Sequence, residues 1–342
     1  MMATRGLRAN VRASTRGALS SCRPGRTIVS VQATADKSVF ITGGNTGIGY
    51  ETAKALASQG FRVTIGCRDA AKADAALARI REFVPSAVVD FVPLDLADLT
   101  SVADCAKRVL DSGVQYDVWI NNAGVMACPK MSTAQGFEYQ LGVNHLGHFA
   151  LTNAVLPGLQ AANKPVRIIN VASAAHLFGK IDFDDLMRDR SYDAWTAYGQ
   201  SKLANILFSY ELNRRLGAGS PITVNCLHPG VVKTELGRYM QADGEKTWYM
   251  PLALEAMKLF MLEPAQGAAT SIYLASSPEV AGDTGKYYVD CRRATSSNDS
   301  YNRETAGRLW QVSQELTEAA LAAPAAATTA TVTTAAVTTE AA

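Results

Sequence analysis

Tyr198 and Lys202 stand four residues apart in Tyr198-Gly199-Gln200-Ser201-Lys202. On a helix that spacing stacks the two side chains on one face. A free phenol titrates near pH ~10 and is a poor acid or base at neutral pH. A neighbouring ammonium favours the phenolate and is expected to lower that pKa. Such a pair can give a proton to a carbonyl oxygen as a hydride reaches the carbon. Ser173, 25 residues before Tyr198, could hydrogen-bond the same oxygen and stabilise its developing charge. Taken alone, Tyr-x-x-x-Lys also describes an ordinary amphipathic helix pair.

A second group could hold a hydride carrier. The run Thr42-Gly43-Gly44-Asn45-Thr46-Gly47-Ile48-Gly49 follows an apolar stretch and precedes good helix formers from Tyr50 to Gln59, which Gly60 stops. Glycines there permit a tight turn and a close backbone approach to a pyrophosphate. The helix N-terminus adds N–H donors and a partial positive charge. Downstream, Gly66-Cys67-Arg68-Asp69 ends the next apolar run. An acid at that point suits a ribose 2′-hydroxyl, whereas Arg suits a 2′-phosphate. Arg68 therefore favours NADP(H), although Asp69 follows it directly.

The elements that must position these residues are legible as apolar runs. Strands are expected at Ser38–Thr42, Arg62–Cys67, Val88–Leu94, Asp117–Ile120, Arg167–Ala172, Ile222–Leu227 and Lys286–Asp290. Most are rich in Val and Ile without polar alternation, as strands buried on both faces are. Helical stretches such as Ala70–Phe83 and Thr100–Asp111 lie between them. Alternating strand and helix predicts a single α/β domain, a Rossmann-like, doubly wound, seven-stranded parallel sheet.

The 342 residues are 48% hydrophobic and 19% charged, enough apolar material for a large core. A formal charge of +2 gives no reason to expect nucleic acid as a partner. Six cysteines without a CxxC pair suggest neither a zinc ribbon nor a disulfide framework. His145 and His148 form His-x-x-His without the acid of a zinc protease motif, so no metal is expected. His176 and His228 are expected to shape the pocket. There is no Gly-x-Ser-x-Gly elbow to suggest a serine hydrolase.

The ends differ from the body. Residues 1–35 hold six arginines, eight Ser or Thr and no acid, which reads as an organelle transit peptide. Without them the formal charge falls from +2 to −4. Residues 318–342 hold twelve Ala and seven Thr in 25 positions and read as a disordered low-complexity tail. The expected domain is thus 36–317.

Taken in order, these motifs resemble the short-chain dehydrogenase/reductase family. The glycine turn has its Thr-Gly-x-x-x-Gly-x-Gly form, and Asp95-Leu96 follows the third strand. Asn121-Asn122-Ala123-Gly124 follows the fourth, and Asn144 lies in Val143-Asn144-His145-Leu146-Gly147-His148-Phe149. Ser173, the Tyr198–Lys202 pair and Pro229-Gly230 with Thr234 complete the set. The resemblance implies catalysis by Asn144, Ser173, Tyr198 and Lys202. Lys202 would also hold the nicotinamide ribose, and Asn144 would anchor a water that links Lys202 to solvent, unless it is a core helix cap. The cofactor would lie on Gly43, Asn45, Thr46, Gly47, Ile48, Gly49, Arg68, Asp95, Leu96, Asn122, Ala123, Gly124, Tyr198, Lys202, Pro229, Gly230 and Thr234.

The strings Asn121 to Pro129, Val143 to Phe149, Ala197 to Leu207 and Arg308-Leu309-Trp310 look like NADP-preferring retinol dehydrogenases. They also resemble a dehydrogenase associated with the chloroplast envelope translocon. Light-dependent protochlorophyllide reductase is a more distant cousin, and Leu203-Ala204-Asn205 after Lys202 lacks the Cys expected there. The resemblance implies NADP(H)-dependent interconversion of a lipophilic aldehyde or ketone and its alcohol. The alternatives are an NADP(H)-sensing subunit of an envelope complex and a silent member with a blocked pocket. Residues 247–262 (TWYMPLALEAMKLFML) occupy the family's substrate lid. They are too short to span a bilayer and could rest on a membrane surface or pack on the core. A homo-oligomer is compatible with all of this. The processing-site match at Val31-Gln32-Ala33 and the plastid relatives favour chloroplast over mitochondrion.

Overall fold

In the computed structural model, residues 37–232 and 261–323 are described. Each of the seven apolar runs forms a strand. They are β1 (Ser38–Thr42), β2 (Arg62–Cys67), β3 (Val89–Pro93), β4 (Val118–Asn121), β5 (Val166–Val171), β6 (Ile222–Leu227) and β7 (Lys286–Val289). All seven run parallel in the order β3-β2-β1-β4-β5-β6-β7. An eighth strand, β8 (Arg292–Ala294), pairs antiparallel with β7 and extends the edge. Asp290 and Cys291 turn that hairpin with φ of 49° and 59°, the left-handed pair that a two-residue hairpin requires. The expected sheet is therefore present with one short strand added. The described residues all belong to one compact unit.

Helices cover both faces. On one side lie α1 (Gly47–Ser58) and α2 (Ala70–Phe83). On the other lie α3 (Leu99–Asp111), the short α4 (Tyr139–Leu141), α5 (Gly147–Ala161) and α6 (Ala194–Leu216). The chain then adds α7 (Pro264–Gly267), α8 (Ala269–Ser276) and α9 (Arg303–Ala322). Alternate residues of each strand face opposite layers. Phe40 and Trp119 stack at 4.2 Å between ring centroids and face α3, α5 and α6. Ile41, Ile65 and Ile120 face α1, α2 and α8. Both layers are buried, which explains why the strands read as continuous apolar runs.

Side chains set the helix starts. Asp69 caps α2 by accepting from the Lys72 N–H at 3.0 Å. Asp98 caps α3 through Thr100, and Asp193 caps α6 through Thr196. Such caps satisfy donors that have no partner inside the helix. At the far end, α9 runs to Ala322, five residues into the segment expected to be a disordered tail. Thr317 is buried there, and Gln314 donates to Glu318 at 2.8 Å. The alanines that suggested low complexity are also the best helix formers. The rest of that expected tail, the expected transit peptide, Thr234 and nearly all of 247–262 fall outside the described residues.

The sheet reverses direction beside β1, which pairs with β2 on one side and β4 on the other. A crevice beyond the carboxyl ends of the strands is the expected binding place at such a switch point.

Candidate active site

A cleft of about 690 Å³ opens at that position. Gly43, Asn45, Thr46, Gly47, Ile48 and Gly49 line one end of it. Arg68, Asp95, Leu96, Asn122, Ala123 and Gly124 line its flank, and Ser173, Tyr198, Lys202, Pro229 and Gly230 its far wall. Of the catalytic and cofactor-binding residues expected from sequence, only Asn144 is set back from the cleft among those described.

The glycine turn is shaped by backbone. Gly43 adopts φ +66°, a conformation that side chains disfavour. A Cβ on Gly49 would lie 2.2 Å from the Gly43 carbonyl oxygen and 2.5 Å from Asn122 Nδ2. The turn thus closes onto the start of α1 only because Gly49 has no side chain. Unlike α2, α3 and α6, α1 has no side-chain cap, its N-cap Thr46 making no such bond, and its first turn carries no acid, as theirs do not. Its leading N–H groups can receive an anion. The Thr42 hydroxyl accepts from the Asn122 and Ala123 N–H groups, each at 2.9 Å, and so fixes the neighbouring loop.

At the end of β2, Asp69 lines the cleft and caps α2 through Oδ1. Arg68 lies 3.9 Å from Asp95, half-open to solvent, and Lys72 lines the same corner. Lys72 was not singled out from sequence. Its position in the first turn of a helix that opens beside Arg68 was the available signal. Together these features fit a dinucleotide with its pyrophosphate over α1.

The far wall is made of buried side chains. Tyr198 is 4% exposed, and the Ser173 hydroxyl is the polar group that acts on its phenol. Ser173 Oγ accepts from the Ala175 N–H at 3.2 Å. Lys202 Nζ donates to the Val171 carbonyl at 3.3 Å and lies 5.7 Å from the Tyr198 ring centre. Burial pushes the Tyr198 phenol up to about 12, with the Ser173 hydrogen bond opposing. Burial also pulls the Lys202 ammonium down to about 8. The expected lowering of the phenol is not found: desolvation raises it, and the opposing influence is Ser173. Tyr198 starts as a neutral acid at pH 7, and Lys202 is still mostly charged.

Asn144 acts from behind this wall. It sits in a π-helical turn, Gly142–Leu146, between α4 and α5. Its Oδ1 accepts from the Val125 N–H at 2.8 Å, and its Nδ2 donates to the Val125 carbonyl and Ser201 Oγ at 2.9 Å. Ser201 Oγ in turn donates to the Tyr198 carbonyl at 2.8 Å. The side chain thus ties the β4 loop to the helix that carries Tyr198 and Lys202.

His176 and His228 do not line the cleft. His176 Nδ1 donates to the Ser173 carbonyl at 2.7 Å, and its Nε2 accepts from the Ser297 N–H. His228 Nδ1 accepts from the Gly230 N–H. Both brace loops whose other residues face the cleft. Among the described residues, no group of three His, Cys, Asp or Glu could hold a metal ion.

The outer rim is apolar. Leu177, Phe178, Trp195 and Val231 line the cleft and are between 42% and 66% exposed. Trp195 is edge-on to Tyr198 at 6.2 Å. Its place three residues before Tyr198, on the same helix face, was a signal that sequence reasoning passed over.

Comparison with known proteins agrees with this geometry. Residues 37–245 match the family described as short chain dehydrogenase. Human retinol dehydrogenase 14 is 44% identical over 291 residues, covering 81% of this chain and 85% of the relative. Human retinol dehydrogenase 13 is 45% identical over 281 residues, covering 82% and 84%. A crystal structure from Mycobacterium Paratuberculosis superposes with a TM-score of 0.65 at 37% identity, covering 84% of this chain and 95% of that one. Pseudomonas aeruginosa RhlG, solved as an NADP active-site complex, superposes with a TM-score of 0.57 at 28% identity, covering 75% and 94%. The chain belongs to the short-chain dehydrogenase family and is an oxidoreductase acting on CH–OH groups.

Proposed function

We propose that the protein interconverts a lipophilic aldehyde or ketone and its alcohol with NADP(H), Tyr198 serving as general acid/base. The observation that carries this reading is the convergence of Ser173, Tyr198 and Lys202 on the cleft that also holds the glycine turn. When bound, the dinucleotide supplies or accepts the hydride. Tyr198 Oη gives its proton to the substrate oxygen during reduction and takes it back during oxidation. Ser173 Oγ donates to the same oxygen and stabilises the charge that develops there. Lys202 Nζ holds positive charge beside the phenolate that remains. Asn144 keeps α6 registered against the β4 loop.

The preference for NADP(H) is supported by chemistry at the end of β2. Asp69 Oδ1 is held by the first turn of its own helix, which ties that carboxylate to α2. Arg68 and Lys72 supply positive charge at the same corner. An apolar substrate is supported by the rim of Leu177, Phe178, Trp195 and Val231. The relatives' names as retinol dehydrogenases point the same way.

The test is oxidation of NADPH and of NADH by the purified protein. The panel holds retinal, medium-chain and aromatic aldehydes, and simple ketones. Turnover of a lipophilic carbonyl with NADPH at lower KM than NADH is expected. No turnover across the panel, with NADPH bound tightly, would overturn the reading in favour of a cofactor sensor. The acid-free, arginine-rich residues 1–35 support an organelle destination, and the processing-site match at Val31-Gln32-Ala33 favours the plastid over the mitochondrion. A fluorescent fusion of those residues that stays in the cytosol or enters mitochondria would refute it.

A further inference from the structure

We propose that His148 is a positioning residue that couples the dinucleotide-holding end of the cleft to its proton-transfer end through two hydrogen bonds of fixed direction. The inference rests on the reading of the cleft as an NADP(H) site.

His148 is 3% exposed and Thr42 is fully buried. His148 Nδ1 lies 3.0 Å from the Asn144 carbonyl oxygen, and Nε2 lies 2.8 Å from Thr42 Oγ1. A carbonyl oxygen can only accept, so Nδ1 carries the hydrogen. Burial holds this imidazole down at about 4, so the ring is neutral at pH 7 and Nε2 must accept. Thr42 Oγ1 therefore donates to Nε2. Its lone pairs are then left for the Asn122 and Ala123 N–H groups, both at 2.9 Å. Every donor and acceptor in this chain has one role.

The two ends of the chain reach different parts of the cleft. Thr42 holds the Asn122-Ala123 loop and directly precedes the glycine turn, and both line the dinucleotide end. Asn144 pins Val125 and Ser201, and Ser201 pins the backbone of Tyr198. His148 is the side chain that joins these two sets. Its ring ties the start of α5 to Thr42 at the end of β1, 106 residues away in the chain.

Two half-mimics separate the roles. Asn can present a donor near the position of imidazole Nδ1, and Gln an acceptor near that of Nε2. His148→Asn keeps the bond to Asn144 and loses the one from Thr42. It should raise the NADPH Kd about tenfold while turnover at saturating NADPH stays within about threefold. His148→Gln keeps the bond from Thr42 and loses the one to Asn144. It should leave the NADPH Kd within about threefold and lower turnover about tenfold. A merely structural histidine would instead give both variants the same loss of NADPH affinity, in step with a common fall in Tm. That result overturns the proposal. The affinity arm is read by NADPH fluorescence and needs no substrate. Wild-type protein that turns over nothing would thus sink the functional reading while the affinity split still decides this one. If neither histidine variant folds, Thr42→Val reads the upper contact from its other side. A tenfold weaker NADPH Kd is expected, and an unchanged one overturns the proposal.

Discussion

The two ends of the cleft are built from different materials. The dinucleotide end is mostly backbone: a turn through Gly43, a close approach at Gly49 and the uncapped N-terminus of α1. Charge there is exposed and peripheral, carried by Arg68 beside Asp95. The proton-transfer end is mostly buried side chain, with Tyr198 and Lys202 both nearly inaccessible. Backbone donors hold a phosphate in any sequence that folds the turn. Buried side chains instead acquire shifted proton affinities, and Tyr198 at about 12 and Lys202 at about 8 move apart from ordinary values that nearly coincide. One end is therefore suited to recognition and the other to chemistry.

That contrast can be broken at several strengths. The largest effect is expected from Lys202→Ala. It removes the charge that stabilises the phenolate left after proton transfer and should lower kcat/KM for reduction by roughly 10²–10⁴, measured by NADPH oxidation. A pH profile comes next. Lys202 is charged below its pKa of about 8 and neutral above it. Reductive kcat/KM should be level from pH 6 to near 8 and then fall about tenfold per unit. A rate that climbs steadily through that range would contradict the assignment.

At the recognition end, Arg68→Ala should weaken NADPH about tenfold and leave NADH unmoved, as isothermal titration would report. Equal loss of both would mean that Arg68 does not read a 2′-phosphate. The smallest effect is expected from Asp69→Ala. It removes the α2 cap and should lower stability by about 1 kcal/mol in urea unfolding. The preference for NADPH should survive it. Loss of that preference would show that Asp69 faces the ribose after all.

The two ends were also unequally legible in the sequence. The glycine turn and the strands it joins are local patterns, and β1, β2 and β6 lie at the positions their apolar runs suggest. Residues that work through the backbone nearby are readable from spacing. β8 was missed because Arg292, Arg293 and Ala294 are exposed. Its pairing depends on a left-handed turn with no glycine. The Tyr198–Lys202 pair is visible at helical spacing, but the sign of the phenol's shift is not. Desolvation depends on what the fold packs around the ring. His148 looked like half of an empty metal motif. Its partners, Thr42 and the Asn144 carbonyl, come together only when α5 packs beside β1.

The most direct test of the central claim is Tyr198→Phe, with NADPH affinity and carbonyl reduction measured on the same preparation. The substitution deletes one oxygen from a buried ring and keeps its packing. The account predicts a fall in turnover of at least about a hundredfold and an NADPH Kd within about threefold of wild type. Turnover that survives, or NADPH binding that disappears with it, would show that Tyr198 shapes the cleft and does not deliver the proton.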